Sequence, residues 1–376
     1  MRVLKFGGTS VGDAAAFERA VQIVREYMSA PVVVVVSAMS GITDALISAN
    51  REVINKQLER HIEAAESFQI KNVAECRSLI ENSQHEIATL LDSGMAEFTM
   101  RDAIAAYGEM LCARLFTMVL EHRGIPASYV DARRCIVTDD RYGSANPLVR
   151  EVTVRTRAEI EPLLKMKRVP VLSGFIGSTL AGVTTTLGRG SSDYSATLIG
   201  AALHADEIQI WTDVDGVQTA DPGLVAGTRT VPIISYEEAA QLAVLGARVM
   251  HPKMIEPVRA GGIPIRVRNS RAPDLAGTLI CATPSLGVVK AIAHRMNGTH
   301  AVVGCVGEGL NNGGAAMVRH VLREIDPTLE WKTTAPCNLV ALVDRDRVPH
   351  IVQLIHERLF QPQKAQKHKE KFRVQA

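Results

Sequence analysis

Thr184-Thr185-Thr186-Leu187-Gly188-Arg189-Gly190-Ser191-Ser192-Asp193-Tyr194-Ser195-Ala196 is the stretch on which the reading of this chain turns. Three hydroxyl residues lead into a glycine-flanked arginine. Two serines and an acid then lead into a helical run from Tyr194 to His204. Gly188 and Gly190 let the backbone come close to a ligand, and the first amides of the following helix point at it. Such a turn holds an anion, with Arg189 as a fork for a carboxylate or phosphate. Asp193, in the first helical turn, suits the helix dipole and can equally meet a substrate ammonium. A glycine turn with an ordinary N-cap accounts for the same residues, so the rest of the chain has to decide.

The 376 residues suggest two or three domains, and 47% apolar with only 4% aromatic residues fits a soluble α/β protein with a large core. A formal charge of +2 gives no sign of nucleic acid or of a membrane surface as partner. The longest apolar run, Pro31 to Met39, is too short to span a bilayer. Met1-Arg2-Val3-Leu4-Lys5 runs straight into a strand, so no signal peptide is expected. Six cysteines are scattered with no C-x-x-C pair, which points to reduced thiols in the cytoplasm.

At the N-terminus, a strand from Arg2 to Phe6 meets the turn Gly7-Gly8-Thr9-Ser10, and Asp13 caps a helix striped by Phe17, Val21, Val24 and Met28. Strand, glycine turn and helix form a phosphate cradle that is not the Walker loop. Lys5, just before the glycines, is placed for a phosphate contact; an exposed edge lysine is the plainer alternative. Val32 to Val36 reads as a strand buried on both faces, ending in Ser37-Ala38-Met39-Ser40-Gly41-Ile42-Thr43, where open α/β sheets bind ligands. Residues 44 to 123 read as helical throughout. Within them Gly108-Glu109 marks a close approach or a bend, or else Glu109 is a solvated helix glutamate. Further strands are expected at 127–130, 169–172, 206–212, 263–267 and 277–280, with a hairpin around Gly182 and a polar loop Thr212-Asp213-Val214-Asp215-Gly216. After Pro284 the order β-β-α-β-β-α, with strands at 288–293, 301–306, 329–333 and 338–343, suggests a small ferredoxin-like α+β module. From Gln361 the chain is polar and basic and reads as a disordered tail.

With these segments in place, the chain resembles the aspartate kinases within the amino-acid kinase family. The matching segments are Lys5 to Val11, Ser37-Ala38 with Gly41-Ile42-Thr43, Gly108-Glu109, Gly174-Phe175-Ile176-Gly177, Thr184 to Ala196, Trp211 to Gly216, and Gly246 to Pro252. The layout is closest to the lysine-sensitive, monofunctional branch. The resemblance implies an amino-acid kinase fold over 1–284, a mainly parallel sheet sandwiched by helices. It also implies one ACT-like module over 285–360, where the family carries two, and leaves 361–376 as the tail. The implied reaction moves the γ-phosphoryl group of ATP, with Mg2+, to the side-chain carboxylate of L-aspartate, the first step towards lysine, threonine and methionine. By resemblance, Lys5 and Asp193 are catalytic; Ser37, Thr43, Glu109, Arg189 and Ser192 hold aspartate; and Lys5, Gly7, Gly8, Ser10, Thr212, Asp213, Gln218, Arg248 and Val249 face ATP. No protein-held metal site is implied.

Three positions depart from the family pattern, all on the nucleotide side: Gln218 for a tyrosine, Gly223 for an arginine and Arg248 for a lysine. They leave room for a weakly catalytic or non-catalytic homologue that binds aspartate, or for a paralogue acting on a related amino acid. The shortened module lacks its own closing strand, which 288–293 can supply. A homodimer through that module, with little feedback inhibition by lysine or threonine, is the expectation. Gly309-Leu310-Asn311-Asn312-Gly313-Gly314 is expected to cap its helix without a ligand.

Overall fold

Arg2–Phe6 forms strand β1, and its apolar character follows from its place mid-sheet with a parallel strand on each side. The computed structural model describes residues 1–70, 72–247, 252–283, 287–311 and 313–360. The strands that follow are β2 (Val32–Val36), β3 (Ala127–Val130), β4 (Val137–Thr138), β5 (Val169–Ser173), β6 (Ile176–Thr179), β7 (Thr184–Thr186), β8 (Glu207–Thr212), β9 (Ile233–Ser235), β10 (Ile265–Asn269), β11 (Thr278–Cys281), β12 (Ala291–Asn297), β13 (His300–Val306) and β14 (Asn338–Asp344). One sheet has the order β3-β5-β2-β1-β8-β10-β11-β9. Its strands from β3 to β10 run parallel, β11 is antiparallel to β10, and β9 is parallel to β11. All five valines of β2 are buried, as the sequence requires of a strand covered on both faces. In register, Phe6 lies between Val36 and Trp211, so the loops after β1, β2 and β8 leave from the same edge. That edge, beside the switch from β2 to β8, is where such sheets bind ligands. A smaller sheet, β4-β6-β7, carries the expected hairpin, with Gly182 at φ 81°.

The helices of this part are α1 (Ala14–Tyr27), α2 (Ile42–Ile47), α3 (Arg51–Ser67), α4 (Val73–Asp92), α5 (Glu97–His122), α6 (Val149–Lys165), α7 (Ser192–Ala202), α8 (Tyr236–Val244) and α9 (Glu256–Arg259). The Asp13 carboxylate accepts the Ala16 N–H and caps α1 as expected. Helix α5 is long and apolar enough to cross a membrane, but 72% of its most apolar window is buried, as in a core helix. It runs unbroken through Gly108. A Cβ there would come within 3.0 Å of Ala38 Cβ and 3.2 Å of Ile42 Cγ2, so the glycine lets α2 and the loop after β2 seat against α5.

Buried in the helical block, His61 of α3 donates from Nδ1 to the Leu58 carbonyl at 3.0 Å, while Nε2 has no partner among the described residues. Burial pulls its imidazole from 6.5 down to about 4. Between those values the unfolded chain binds the extra proton. The contribution of a neutral His61 is therefore complete above pH 6.5 and is lost as pH falls towards 4, by about 3 kcal/mol. Denaturant curves of wild type and His61→Asn over that range test this. Their stability difference is expected to hold steady above neutrality and to fall by that amount on acidification.

The chain divides into two compact units, 1–217 with 230–243 and 248–285, and 218–229 with 244–247 and 286–376. A boundary at 284 therefore misses two insertions. Segments 218–229 and 244–247, expected in the first domain, pack with the second. Ala220 and Val225 lie in the second unit's core with Ile292, Val303, Leu339 and Val352. The Ile292 N–H donates to the Thr219 carbonyl at 2.8 Å.

In the second unit β12, β13 and β14 form an antiparallel sheet in that order, with α10 (Gly314–Ile325) and α11 (Val348–Phe360). The strand expected at 288–293 begins at Ala291 and pairs along the outer side of β13, the position of a closing strand. The strand expected at 329–333 is reduced to one bridge, Lys332 to Val340. No side chain caps α10 among the described residues, and Gly313 opens it at φ 87°. Asn312 and the tail 361–376 lie outside the described residues.

Candidate active site

Lys5 is the buried charge at the exit of β1. Its Nζ lies 2.6 Å from Oδ1 of Asp193, in the first turn of α7, and both side chains are almost wholly enclosed. A strand-end lysine is thus aimed at a helix N-terminus, and the exposed-edge alternative falls away. Beyond Lys5 the glycine turn divides its work. The Gly7 N–H donates to the Trp211 carbonyl at 3.0 Å. The Ser10 hydroxyl meets Ser270 Oγ at 2.7 Å and the Trp211 carbonyl at 3.2 Å. Both residues, expected to face ATP, tie the turn to the ends of β8 and β10. The Gly8 and Thr9 amides have no acceptor among the described residues. A Cβ on Gly8 would stand 2.9 Å from the Ala38 carbonyl oxygen, so only glycine lets the β1 and β2 loops touch.

The Thr184–Ala196 stretch supplies the opposite wall. Gly188 and Gly190 take left-handed φ values of 97° and 73°, which the sequence reading requires of them. No side chain caps α7, the Ser192 and Asp193 amides have no acceptor among the described residues, and the buried Ser191 hydroxyl has no partner there. Ser192 packs on Gly174, where a Cβ would come within 2.6 Å of the serine's own Cβ.

From α5, Glu109 enters buried, with Oε2 lacking a partner among the described residues. The solvated-glutamate alternative is therefore wrong: Gly108 draws this turn of α5 under α2 and so buries its neighbour. Burial pushes the Glu109 carboxyl up to about 8, while the Ala38 backbone, the Thr43 hydroxyl and the Lys5 charge pull the other way. With nothing bound it holds a proton near neutrality, and an ammonium placed beside it would favour the ionised form. Thr43 sits half-buried in the first turn of α2, and Ser37, whose N–H donates to the Phe6 carbonyl at 3.0 Å, is half-buried beside β1. Arg189 is exposed and reaches Asp44 of α2, Nη2 to Oδ1 2.5 Å. Lys5, Ser37, Thr43, Glu109, Arg189, Ser192 and Asp193 thus come from β1, the β2 loop, the start of α2, the middle of α5, and the loop and first turn of α7.

Sequence reasoning missed Asp102. Its buried carboxylate accepts the Gly143 N–H at 2.8 Å, the Thr186 N–H at 2.9 Å and the Thr186 hydroxyl at 2.7 Å. It anchors β7 immediately before the Leu187–Ser191 loop. A second acid two turns before Glu109 on the same apolar helix was the available signal.

Thr212 and Asp213 stand at the end of β8, hydroxyl to carboxylate 3.3 Å. Gln218 belongs to the second unit, and Gly223 lies in a turn where its N–H donates to Asp221 Oδ1 at 2.8 Å. Arg248 and Val249 lie outside the described residues. Among the described residues no group of three or more His, Cys, Asp or Glu side chains is arranged to hold a metal ion.

Known proteins are similar to this chain over most of its length. Residues 1–269 match the sequence model of the amino acid kinase family. Lysine-sensitive aspartokinase 3 of Escherichia coli is 32% identical over 351 residues, 91% of this chain and 78% of that protein. The chloroplastic aspartokinase 3 of Arabidopsis thaliana is 36% identical over 312 residues, and the chain spans about half of its length, 54%. The crystal structure of E. coli aspartokinase III in complex with aspartate and ADP, in the R-state, superposes with a TM-score of 0.86 at 26% identity, covering 96% of this chain and 100% of that one.

Proposed function

This chain belongs to the aspartokinases of the amino acid kinase family, and on that premise we propose that the site transfers the γ-phosphoryl group of ATP to the side-chain carboxylate of L-aspartate. The observation that carries the assignment of roles is the buried Lys5–Asp193 pair, set between the free amides of the glycine turn and of α7, with the buried Glu109 carboxyl close enough to feel the lysine. A carboxylate is already a nucleophile, so no general base is required. Its oxygen attacks the γ-phosphorus, the bond to the β-phosphate oxygen breaks, and ADP leaves. Catalysis is then positioning and neutralisation of moving charge. Lys5 faces that charge, Asp193 aims Lys5, and the Gly8 and Thr9 amides meet phosphate oxygens. Arg189 takes the substrate α-carboxylate, and Glu109 with Thr43 takes the ammonium side. Mg2+ neutralises phosphate charge in such transfers. Such an ion would be carried on the nucleotide's own oxygens and waters.

The test is acyl-phosphate trapping. With ATP, Mg2+ and hydroxylamine across a panel of amino acids, the hydroxamate of aspartate is expected to form well ahead of those of glutamate and asparagine. Hydroxamate from another acid alone would move the enzyme to that substrate, and none at all would leave a binding protein.

The second unit we read as one ACT-like module that pairs with its copy in a homodimer. Leu342 of β14 and Met317 of α10 are more than half exposed, at 58% and 57%, and a sheet edge and apolar face of this kind need cover. Its glycine-rich loop is filled by the chain itself. Cβ atoms on Gly307, Gly309 and Gly314 would come within 2.3–2.6 Å of Val288. An effector would have to displace Val288 to enter between these glycines, and a site that binds no effector gives it no differential affinity to use. Activity at sub-saturating aspartate is therefore expected to change little in millimolar lysine or threonine, and light scattering to give the mass of two chains. Strong cooperative inhibition would show that the module senses, and a monomer would remove the pairing. The free cysteines, five of the six buried, suit a reducing cytoplasm.

A further inference from the structure

Arg60 of α3 has no part in the chemistry above, yet it touches both loops that carry it. Half-buried, it donates from Nη1 to the Ser40 carbonyl at 2.7 Å and from Nη2 to the Gly12 carbonyl at 2.8 Å. Gln57, one turn earlier, accepts from Nη1 at 3.1 Å and fixes the plane of the guanidinium. Gly12 closes the short turn Gly8–Val11, at whose other end the Gly8 and Thr9 amides are free. Ser40 precedes Gly41, whose φ of 85° starts α2 and so sets Thr43 beside Glu109. The backbone bond that joins the two loops among the described residues runs from the Ser40 N–H to the Gly8 carbonyl, at 3.2 Å. One hydrogen bond leaves a hinge, and a planar fork across two further carbonyls removes it.

We propose that Arg60 is a positioning residue that fixes the spacing between the phosphate turn 7–12 and the substrate loop 37–43. It thereby sets the approach of the aspartate carboxylate to the γ-phosphorus. This gives the long helical block a task in the reaction: it carries the brace. Lysine is a point donor and cannot bridge both carbonyls in one plane. The inference rests on the kinase reading for its kinetic consequence, but the loop spacing can be read without turnover.

In Arg60→Ala, kcat is expected to fall by about tenfold to a hundredfold with each KM moving less than about threefold, because a loop shift of order 1 Å misaligns reactants already bound. Low-millimolar guanidinium should restore part of that rate. It should leave wild type and Arg77→Ala unchanged, Arg77 being a surface partner of Glu66 on the same block. Hydrogen exchange of the bonded Ser10, Ser40 and Ile42 amides should quicken in Arg60→Ala while the β2 amides stay protected. If Arg60→Ala does not fold, Arg60→Lys is expected to show the same pattern at a smaller size. Wild-type kcat in Arg60→Ala, or unchanged exchange in both loops, would overturn the proposal. A wild type silent in the trapping assay would instead overturn the kinase reading, and loop exchange would still decide the role of Arg60.

Discussion

Lys5→Ala is expected to lower kcat by about two orders of magnitude or more, the effect of removing one preorganised charge contact from a phosphoryl-transfer site. The lysine is enclosed, and its Nζ is 2.6 Å from Asp193, beside Gly8 and Thr9 amides that have no acceptor among the described residues. The variant also leaves the Asp193 carboxylate enclosed without its cation and facing incoming phosphates, which adds repulsion to the loss of attraction. A steady-state assay with a circular-dichroism check of folding decides the matter. A folded Lys5→Ala protein with normal turnover would remove the phosphate role from this residue.

Arg189→Ala is expected to raise the KM for aspartate by about tenfold to a hundredfold and to leave the KM for ATP nearly unchanged, the cost of one charge-assisted, bidentate contact. In the free protein this arginine holds Asp44, and both side chains are exposed, at 76% and 68%. A surface pair of that kind contributes at most about 1 kcal/mol. The substrate α-carboxylate can therefore displace Asp44 at little cost. Asp44 marks where that carboxylate would lie, beside Thr43 at the start of α2. Kinetics with each substrate varied in turn give the answer. A rise confined to the ATP KM would move Arg189 to the nucleotide side.

Much of this was legible in the chain. Five successive valines can be satisfied only by a strand with neighbours on both faces, and β2 is that strand. The glycines of the Thr184–Ala196 stretch adopt the backbone that only glycine takes readily, and α7 follows them, opening at Ser192, two residues before the run expected from Tyr194. Other features depended on packing that no local pattern encodes. Helical spacing alone left Glu109 ambiguous between solvent and core, and its burial follows from α2 seating on Gly108. Gly7 and Ser10 lie in the right turn, but register brings their polar groups to Trp211 and Ser270, hundreds of residues away in sequence. The 218–229 segment reads as a loop of the first domain until Ala220 and Val225 find apolar partners in the second. Arg60 reads as an ordinary helix charge, because what defines it is the backbone it reaches.

The central claim is that a carboxylate oxygen of aspartate attacks the γ-phosphorus, and isotope transfer tests it most directly. Aspartate labelled with oxygen-18 in its side-chain carboxylate is turned over with ATP and Mg2+ in the presence of hydroxylamine. Hydroxylamine attacks the acyl carbon and expels phosphate with the bridging oxygen that came from aspartate. The account predicts one labelled oxygen in the inorganic phosphate for each aspartyl hydroxamate formed, read by the isotope shift in phosphorus-31 spectra. Unlabelled phosphate released at the full rate of ATP consumption would mean that water is the nucleophile, and would contradict the account.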